Sequence, residues 1–209
     1  AASDVYKRQS LNCMVAGVDE AGRGPWAGPV VAGAVIIRDR NLGDELLKGL
    51  DDSKKISAKK RELLYEKLRE EEKNGRLFIG IGQASAEEID RCNILQATFA
   101  AMKRAVEALK EKPEFAIIDG NQTPKDFPCR THTVVKGDAR CMSIAAASIA
   151  AKVYRDRLMR ELAQKYPYYA FEKNAGYGTK AHIDGLKRHG VTPEHRKSYR
   201  PIQEFLRSA

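Results

Sequence analysis

Tryptophan occurs once, and cysteine and histidine four times each, in a chain of 209 residues. Cys13, Cys92, Cys129 and Cys141 are scattered with no C-x-x-C spacing, which argues against a disulfide framework or a paired-cysteine metal site and fits reduced thiols in a cytoplasm. His182, His189 and His195 lie near one another in sequence. Without paired cysteines or an H-E-x-x-H pattern they argue against zinc and read as surface or polar-interface residues. No apolar run approaches the ~20 residues of a membrane span, so no membrane partner is expected. Internal repeats and low-complexity segments are missing too. The opening stretch, Ala1 to Gln9, is polar and short; it lacks a secretory apolar region and reads as a tag, a scar or a frayed end.

What remains is a chain of 23.3 kDa with 43% hydrophobic residues, enough for one good core with a small appended lobe. Lys and Arg number 37 against 28 Asp and Glu, a net charge of +9 with a pI near 9.4. That balance points to an anionic partner. The excess is uneven: residues 150–209 hold thirteen Lys or Arg against six acids, so the C-terminal part is expected to be the basic face. A cytoplasmic monomer is expected.

Short apolar runs at Met14 to Val18, Val30 to Ile37, Arg76 to Gly82, Phe115 to Ile118 and His132 to Val135 predict strands. Ser57 to Glu72 predicts an amphipathic helix with Leu63, Leu64 and Leu68 on its buried stripe. Ser85 and Glu88 have capping-box spacing, and Leu95, Phe99, Met102, Val106 and Leu109 then recur at steps of four and three, predicting a long core helix. An Ala-rich run from Ala139 to about Lys165 predicts another, and Lys180 to His189 a short basic one. Three strands followed by alternating helices and strands fit a mixed α/β sheet flanked by helices. From Tyr166 the composition changes, suggesting a mobile C-terminal lobe.

Four acids stand out. Val18-Asp19-Glu20-Ala21-Gly22-Arg23-Gly24-Pro25 joins two carboxylates at a strand mouth to a loop in which Gly22 and Gly24 can take positive φ and expose their N–H groups, a possible anion or hydroxyl nest. The same residues also suit a solvated turn. Asp119 ends a second strand, and Asp138 follows a third. Acids gathered at strand mouths would repel unless a cation compensates them, and an oxygen-only set suits Mg²⁺ or Mn²⁺. Local alternatives stay open: Asp138 as a helix N-cap, Asp119 as a turn residue, and Glu20 facing away from Asp19 unless the strand bends. Tyr177, between two glycines, equally suits a surface loop closure.

Together with Asp52-Ser53-Lys54-Lys55, Ile118-Asp119-Gly120-Asn121, Lys136-Gly137-Asp138, Ser143 to Ile149, Ala151-Lys152-Val153 and Gly176-Tyr177-Gly178-Thr179, the Val18 to Pro25 run resembles the bacterial type 2 ribonuclease H family across about residues 14 to 203. The resemblance implies a ribonuclease H-like mixed sheet flanked by helices, with a catalytic domain over 11–165, a basic helical substrate-binding region over 166–209 and an extension over 1–10. It implies that Asp19, Glu20, Asp119 and Asp138 are catalytic carboxylates holding two divalent ions, Mg²⁺ or Mn²⁺. Implied substrates are RNA/DNA hybrids and duplex DNA with embedded ribonucleotides, cut on the 5′ side to leave 3′-hydroxyl and 5′-phosphate ends. Gly22, Arg23, Gly24 and Tyr177 are implied at the ribonucleotide 2′-OH, and Ser53, Lys54 and Lys55 at phosphate. Two departures are visible: Asn174-Ala175 stands where the family often has a basic pair, and the first nine residues match nothing. The related type 3 ribonucleases H usually carry a Gly-Lys-Gly loop and an added N-terminal domain, so Arg23 and the short N-terminus argue against that alternative. A catalytically inactive nucleic-acid-binding relative would be expected to have replaced the acids, and all four are present.

Overall fold

The computed structural model describes residues 13–39, 41–51 and 56–207. Five strands, β1 (Val15–Ala21), β2 (Val30–Ile37), β3 (Leu77–Ala84), β4 (Phe115–Asp119) and β5 (Arg130–Val134), form one mixed sheet in the order β3-β2-β1-β4-β5. The pairs β1/β2 and β2/β3 are antiparallel, while β1/β4 and β4/β5 are parallel. The helices are α1 (Asp44–Asp51), α2 (Ala58–Lys73), α3 (Ala86–Glu107), α4 (Met142–Lys165), α5 (Phe171–Asn174), α6 (Lys180–His189) and α7 (Arg200–Arg207). This is the mixed, helix-flanked sheet expected from the apolar runs. None of the described helices is long and apolar enough to cross a membrane.

The two faces of the sheet bury different helices because successive strand residues point opposite ways. Val18, Ala32, Ala34, Ile36 and Ile118 pack with α3, whereas Val35, Leu77 and Ile79 pack with α4, α2 and α1. Helix α4 lies very close to the sheet. A Cβ on Gly17 would stand 2.3 Å from the Ser143 carbonyl carbon, and one on Gly33 2.4 Å from the Ala147 oxygen. Ala145, Ala146, Ala147, Ala150 and Ala151 present small side chains to that contact. The Ala-rich run is therefore a close-approach surface, and it brings Ser148 to the strand that carries Asp19.

Two helical stripes differ from the sequence reading. In α2 the buried residues are Leu64, Tyr65 and Leu68, while Leu63 is 53% exposed. The helix has room for one apolar stripe, and Tyr65 takes the place expected of Leu63. In α3 the capping box forms in full, but Asn93 adopts φ 69° and its Oδ1 accepts the N–H groups of Leu95 and Gln96. The helix restarts there, and Ala97, Ala101 and Ala105 are fully buried while Leu95 and Phe99 are half-buried. Small residues let this helix also sit close to the sheet.

A third apolar cluster, Ala27, Met159, Tyr169, Phe171, Leu186 and Ile202, joins the C-terminal helices to the end of α4 and to the loop after β1. Asp90 at the start of α3 accepts the N–H groups of Lys197 and Ser198 at 2.8 Å each, fastening the segment before α7.

Candidate active site

Parallel register decides where the acids meet. Val18 lies opposite Ile118, so the next residues, Asp19 within β1 and Asp119 at the end of β4, stand side by side on adjacent strands. Asp19 is 7% exposed; its Oδ1 accepts the Glu20 N–H at 2.8 Å, and the Ser148 hydroxyl also bonds its carboxylate. Asp119 Oδ1 accepts the Gly137 N–H at 2.7 Å. That bond draws the turn Gly137–Ala139, which carries Asp138, to the end of β4. The N-cap of α4 is Cys141, so Asp138 does not cap that helix. Asp119 likewise bonds backbone eighteen residues away rather than within its own turn.

Glu20 does not leave the strand, since pairing of β1 with β2 continues through Ala21 and Val31. Its carboxylate nevertheless stays within electrostatic reach of the others. Burial, then the charges of Glu20 and Asp119, push the Asp19 carboxyl up to about 8 against the pull of Ser148 and the Glu20 N–H. Glu20 is raised as well, by burial first and Asp119 last, with Arg23 opposing at 3.3 Å. Three carboxylates, one buried and two partly exposed, thus feel one another's charge at the ends of two adjacent strands.

The donor chemistry fits a hard divalent cation, because every candidate ligand is a carboxylate oxygen and like charge with burial is relieved by a bound cation. Among the described residues, no group of three or more His, Cys, Asp or Glu side chains is already gathered to hold an ion. Mutual repulsion opposes such gathering until a cation compensates it.

The loop from Gly22 to Pro29 is held from below by two buried arginines. Arg155 on α4 donates to the carbonyls of Pro29 (2.9 Å), Ala175 (3.0 Å) and Ala27 (3.2 Å). Arg196 donates to Gly22 (2.5 Å), Arg23 (2.8 Å) and Gly28 (2.9 Å), and also to the Tyr199 hydroxyl, which itself donates to Arg23 O at 2.6 Å. Both guanidiniums are 1% exposed or less. Burial, followed by the other's charge, lowers Arg155 to about 10, still far above neutrality. Gly22 has φ +95°, and a Cβ there would stand 2.0 Å from Arg155 Nε. Glycine is required twice over at that position, for its dihedral and for its missing side chain.

Tyr177 stands at the other edge of this loop, 51% exposed. Its Cε1 would be 3.3 Å from a Cβ on Gly24, and the Trp26 N–H donates to Gly176 O at 2.8 Å. Asn174 is buried, accepting the Gly176 N–H at 2.8 Å, and Ala175 sits at φ 49°. These two residues therefore shape the Tyr177 loop. Ser53, Lys54 and Lys55 lie outside the described residues. Near the same loop, a cleft of about 460 Å³ between α2, α4 and α5 carries Lys59, Lys152, Arg160 and Lys173 together with three carboxylates.

Sequence reasoning missed Arg155, Arg196, Ser148 and the histidine pair. Arg155 and Arg196 count among the thirteen C-terminal basic residues expected to face an anion, yet they face carbonyls; no spacing rule separates a buried guanidinium from an exposed one. His182 and His195, expected as surface or polar-interface residues, are fully buried against each other, with Nε2 atoms 3.0 Å apart. Burial, and next the neighbouring His182, hold His195 down at about 4, and burial also lowers His182. An unfolded histidine titrates near 6.5, so between about 6.5 and 4 the unfolded chain binds protons that the native pair refuses. Stability from this pair is lost as pH falls through that window. We expect the melting temperature of wild type to fall relative to His195→Gln between pH 7 and pH 4, measured by calorimetry; parallel curves would contradict this assignment.

The Ribonuclease HII family model matches residues 16–202. Ribonuclease HII of Paramagnetospirillum magneticum is 51% identical over 203 residues, covering 97% of this chain and 98% of the relative. The crystal structure of ribonuclease H2 from Pyrococcus horikoshii superposes with a TM-score of 0.75 at 28% identity, over 93% of this chain and 98% of that one. The Bst-RNase HIII structure in complex with Mn²⁺ shares the fold, with a TM-score of 0.70 at 18% identity over 94% of this chain and 70% of its own.

Proposed function

Because this chain belongs to the ribonuclease HII family and is a ribonuclease H-type endonuclease, we propose that it cuts the RNA strand of RNA/DNA hybrids and nicks duplex DNA 5′ of an embedded ribonucleotide, leaving 3′-hydroxyl and 5′-phosphate ends. The observation that carries this reading is the meeting of Asp19 and Asp119 on adjacent parallel strands, with the Asp138 turn tied to Asp119 and the Gly22 to Gly24 loop beside Tyr177.

Asp19, Glu20, Asp119 and Asp138 are the residues that would hold divalent ions, Mg²⁺ or Mn²⁺. When bound, two such ions would supply an activated water and neutralise the charge developing on the leaving oxygen. The chain's own part is to place its acids at the scissile phosphate and read the sugar next to it. Gly22, Arg23 and Gly24 offer a guanidinium and backbone N–H groups on a loop whose carbonyls Arg196 holds, and Tyr177 offers a ring and hydroxyl to the 2′-OH and the adjoining sugar. The 2′-OH is the group that separates RNA from DNA. Ser53, Lys54 and Lys55, with the exposed C-terminal cations, would grip phosphates and set orientation.

A gel assay on a duplex with one ribonucleotide, with Mg²⁺ or Mn²⁺, tests the reading. A nick on its 5′ side is expected, and no cleavage with either ion would overturn the proposal. Tyr177→Ala is expected to lower kcat/KM on that substrate by roughly 10–100-fold, as loss of a specific hydrogen bond and a stacking surface implies. Ion binding measured by calorimetry should be unchanged. Unaltered cleavage would remove Tyr177 from the recognition set.

A further inference from the structure

His182 and His195 are buried rings that touch neither acid cluster nor solvent, and their partners dictate where each proton sits. The Thr192 N–H can only donate, and it reaches His195 Nδ1 at 3.0 Å, so that nitrogen carries the lone pair and the proton is on Nε2. The Tyr177 carbonyl can only accept, and it lies 3.0 Å from His182 Nδ1, so that nitrogen carries the proton and Nε2 is bare. His195 Nε2–H then meets His182 Nε2 at 3.0 Å. The Thr192 hydroxyl, 2.9 Å from His195 Nδ1, donates there and accepts the Glu194 N–H. Every proton has one place. The chain of bonds runs in one direction, from Thr192 through both imidazoles to the backbone of Tyr177.

We propose that His182 and His195 are positioning residues for Tyr177, acting as a pair of neutral imidazoles with opposite tautomers that set the height of the Gly176 to Gly178 backbone above the Gly24 loop. The proposal rests on the reading of Tyr177 as a recognition residue. Rigid aromatic neighbours keep the rings from swinging: Tyr169 and Phe171 lie edge-on to His182 with centroids at 6.0 and 5.2 Å, and Trp26 is 5.8 Å away. The same Trp26 ring fills the space where a Cβ on Gly178 would stand. Tyr177 is half-exposed, so its placement depends on the backbone that carries it. Trp26 and Asn174 anchor that backbone at Gly176, while the Thr179 N–H and His182 Nδ1 both meet the Tyr177 carbonyl, at 2.8 and 3.0 Å. Of these contacts the His182 bond is the one backed by a second ring, and misplacement on the order of 1 Å is enough to cost about a hundredfold in a positioned reaction.

The test is a double-mutant cycle on a duplex with one ribonucleotide. His182→Leu is expected to lower kcat/KM about tenfold in the wild-type background and to cause no further loss in Tyr177→Ala, a coupling that general weakening of the fold would not produce. His182→Asn, whose amide N–H can still reach the Tyr177 carbonyl, should recover most of the loss. An equal loss in both backgrounds, or none in wild type, overturns the proposal. If Tyr177→Ala itself leaves cleavage unchanged, the recognition reading fails instead. Nitrogen-15 chemical shifts of the wild-type imidazoles at neutral pH provide a measurement that needs no variant: a proton on Nδ1 of His182 and on Nε2 of His195 is expected, and the reverse placement at either ring overturns the relay.

Discussion

Asp19→Asn should abolish cleavage, with a loss of about a thousandfold or more, since ion binding and charge compensation at a reacting phosphate are worth several kcal/mol. The substitution keeps the shape of the site and an Oδ1 that can still accept the Glu20 N–H; it replaces the other carboxylate oxygen by an NH2 group that carries no negative charge and cannot ligate a cation. It should also stabilise the metal-free protein. Asp19 is held at about 8 by burial and by Glu20 and Asp119, so between the unfolded carboxyl value near 3.9 and about 8 the native state keeps a proton that the unfolded chain releases. Stability therefore falls as pH rises through that window. At pH 8 we expect Asp19→Asn without metal to melt several degrees above wild type, about 2–4 °C for each kcal/mol relieved. Adding Mg²⁺ or Mn²⁺ should raise the wild-type melting temperature more at pH 8 than at pH 5, and the variant much less. A variant that cleaves normally would remove Asp19 from the catalytic set, and one that melts below wild type would contradict the electrostatic account.

The second large effect is expected at Arg196, far from the acids in sequence. Arg196→Met keeps the aliphatic stem but leaves the carbonyls of Gly22 and Gly28 without the guanidinium donors they have now, and that of Arg23 with the Tyr199 hydroxyl alone. Buried acceptors stripped of partners cost about 1–3 kcal/mol each, partly offset because a buried charge is also removed. A net loss on the order of 3–5 kcal/mol follows, which at about 2–4 °C per kcal/mol lowers the melting temperature by roughly 10 °C. Cleavage should fall further than unfolding explains, because the Gly22 to Gly24 loop loses its mould. Arg196→Lys should rescue little: an ammonium lacks the planar fork that reaches separate carbonyls at once. Wild-type stability in Arg196→Met, measured by thermal melts, would show that the loop holds its own shape.

Both predictions concern β1 and the loop that follows it, from Asp19 to Gly28, and they divide the labour between neighbours. Asp19 and Glu20 stand on the strand and contribute charge; Gly22 to Gly24 stand beyond it and contribute shape. The strand part is stiff because β1 stays paired with β2 through Asp19 and Glu20 and with β4 up to Val18. The loop part borrows its stiffness from Arg155 on α4 and Arg196 before α7, which is why glycines prone to many conformations can serve a site that demands one.

Much of this was legible in the residues themselves. Apolar runs of strand length, two of them ending directly in an acid, Asp19 and Asp119, announced a sheet with carboxylates at its edge, because burial of apolar side chains is a local requirement that every strand must meet. The capping box at Ser85 formed as written, being a contact between residues three apart. Periodicity misplaced Leu63, since whether a stripe turns by one position depends on what it packs against. It also missed the restart at Asn93, where one amide side chain caps the helix a second time.

What sequence alone determined is the chemistry available: an oxygen-only set of acids, a glycine loop that can bare its amides, and a family likeness that spans the chain. Tertiary structure decided how that chemistry is assembled. Parallel register placed Asp19 beside Asp119, the Asp119 bond to Gly137 brought Asp138 from cap candidate to neighbour, and burial turned Arg155, Arg196, His182 and His195 from apparent surface charge and polarity into supports. The physical reason is range. A residue's hydrogen-bonding capacity is written in its identity, whereas the partner that uses it, and the water it loses in doing so, are set by segments more than a hundred residues away, as Arg196 and Gly22 show.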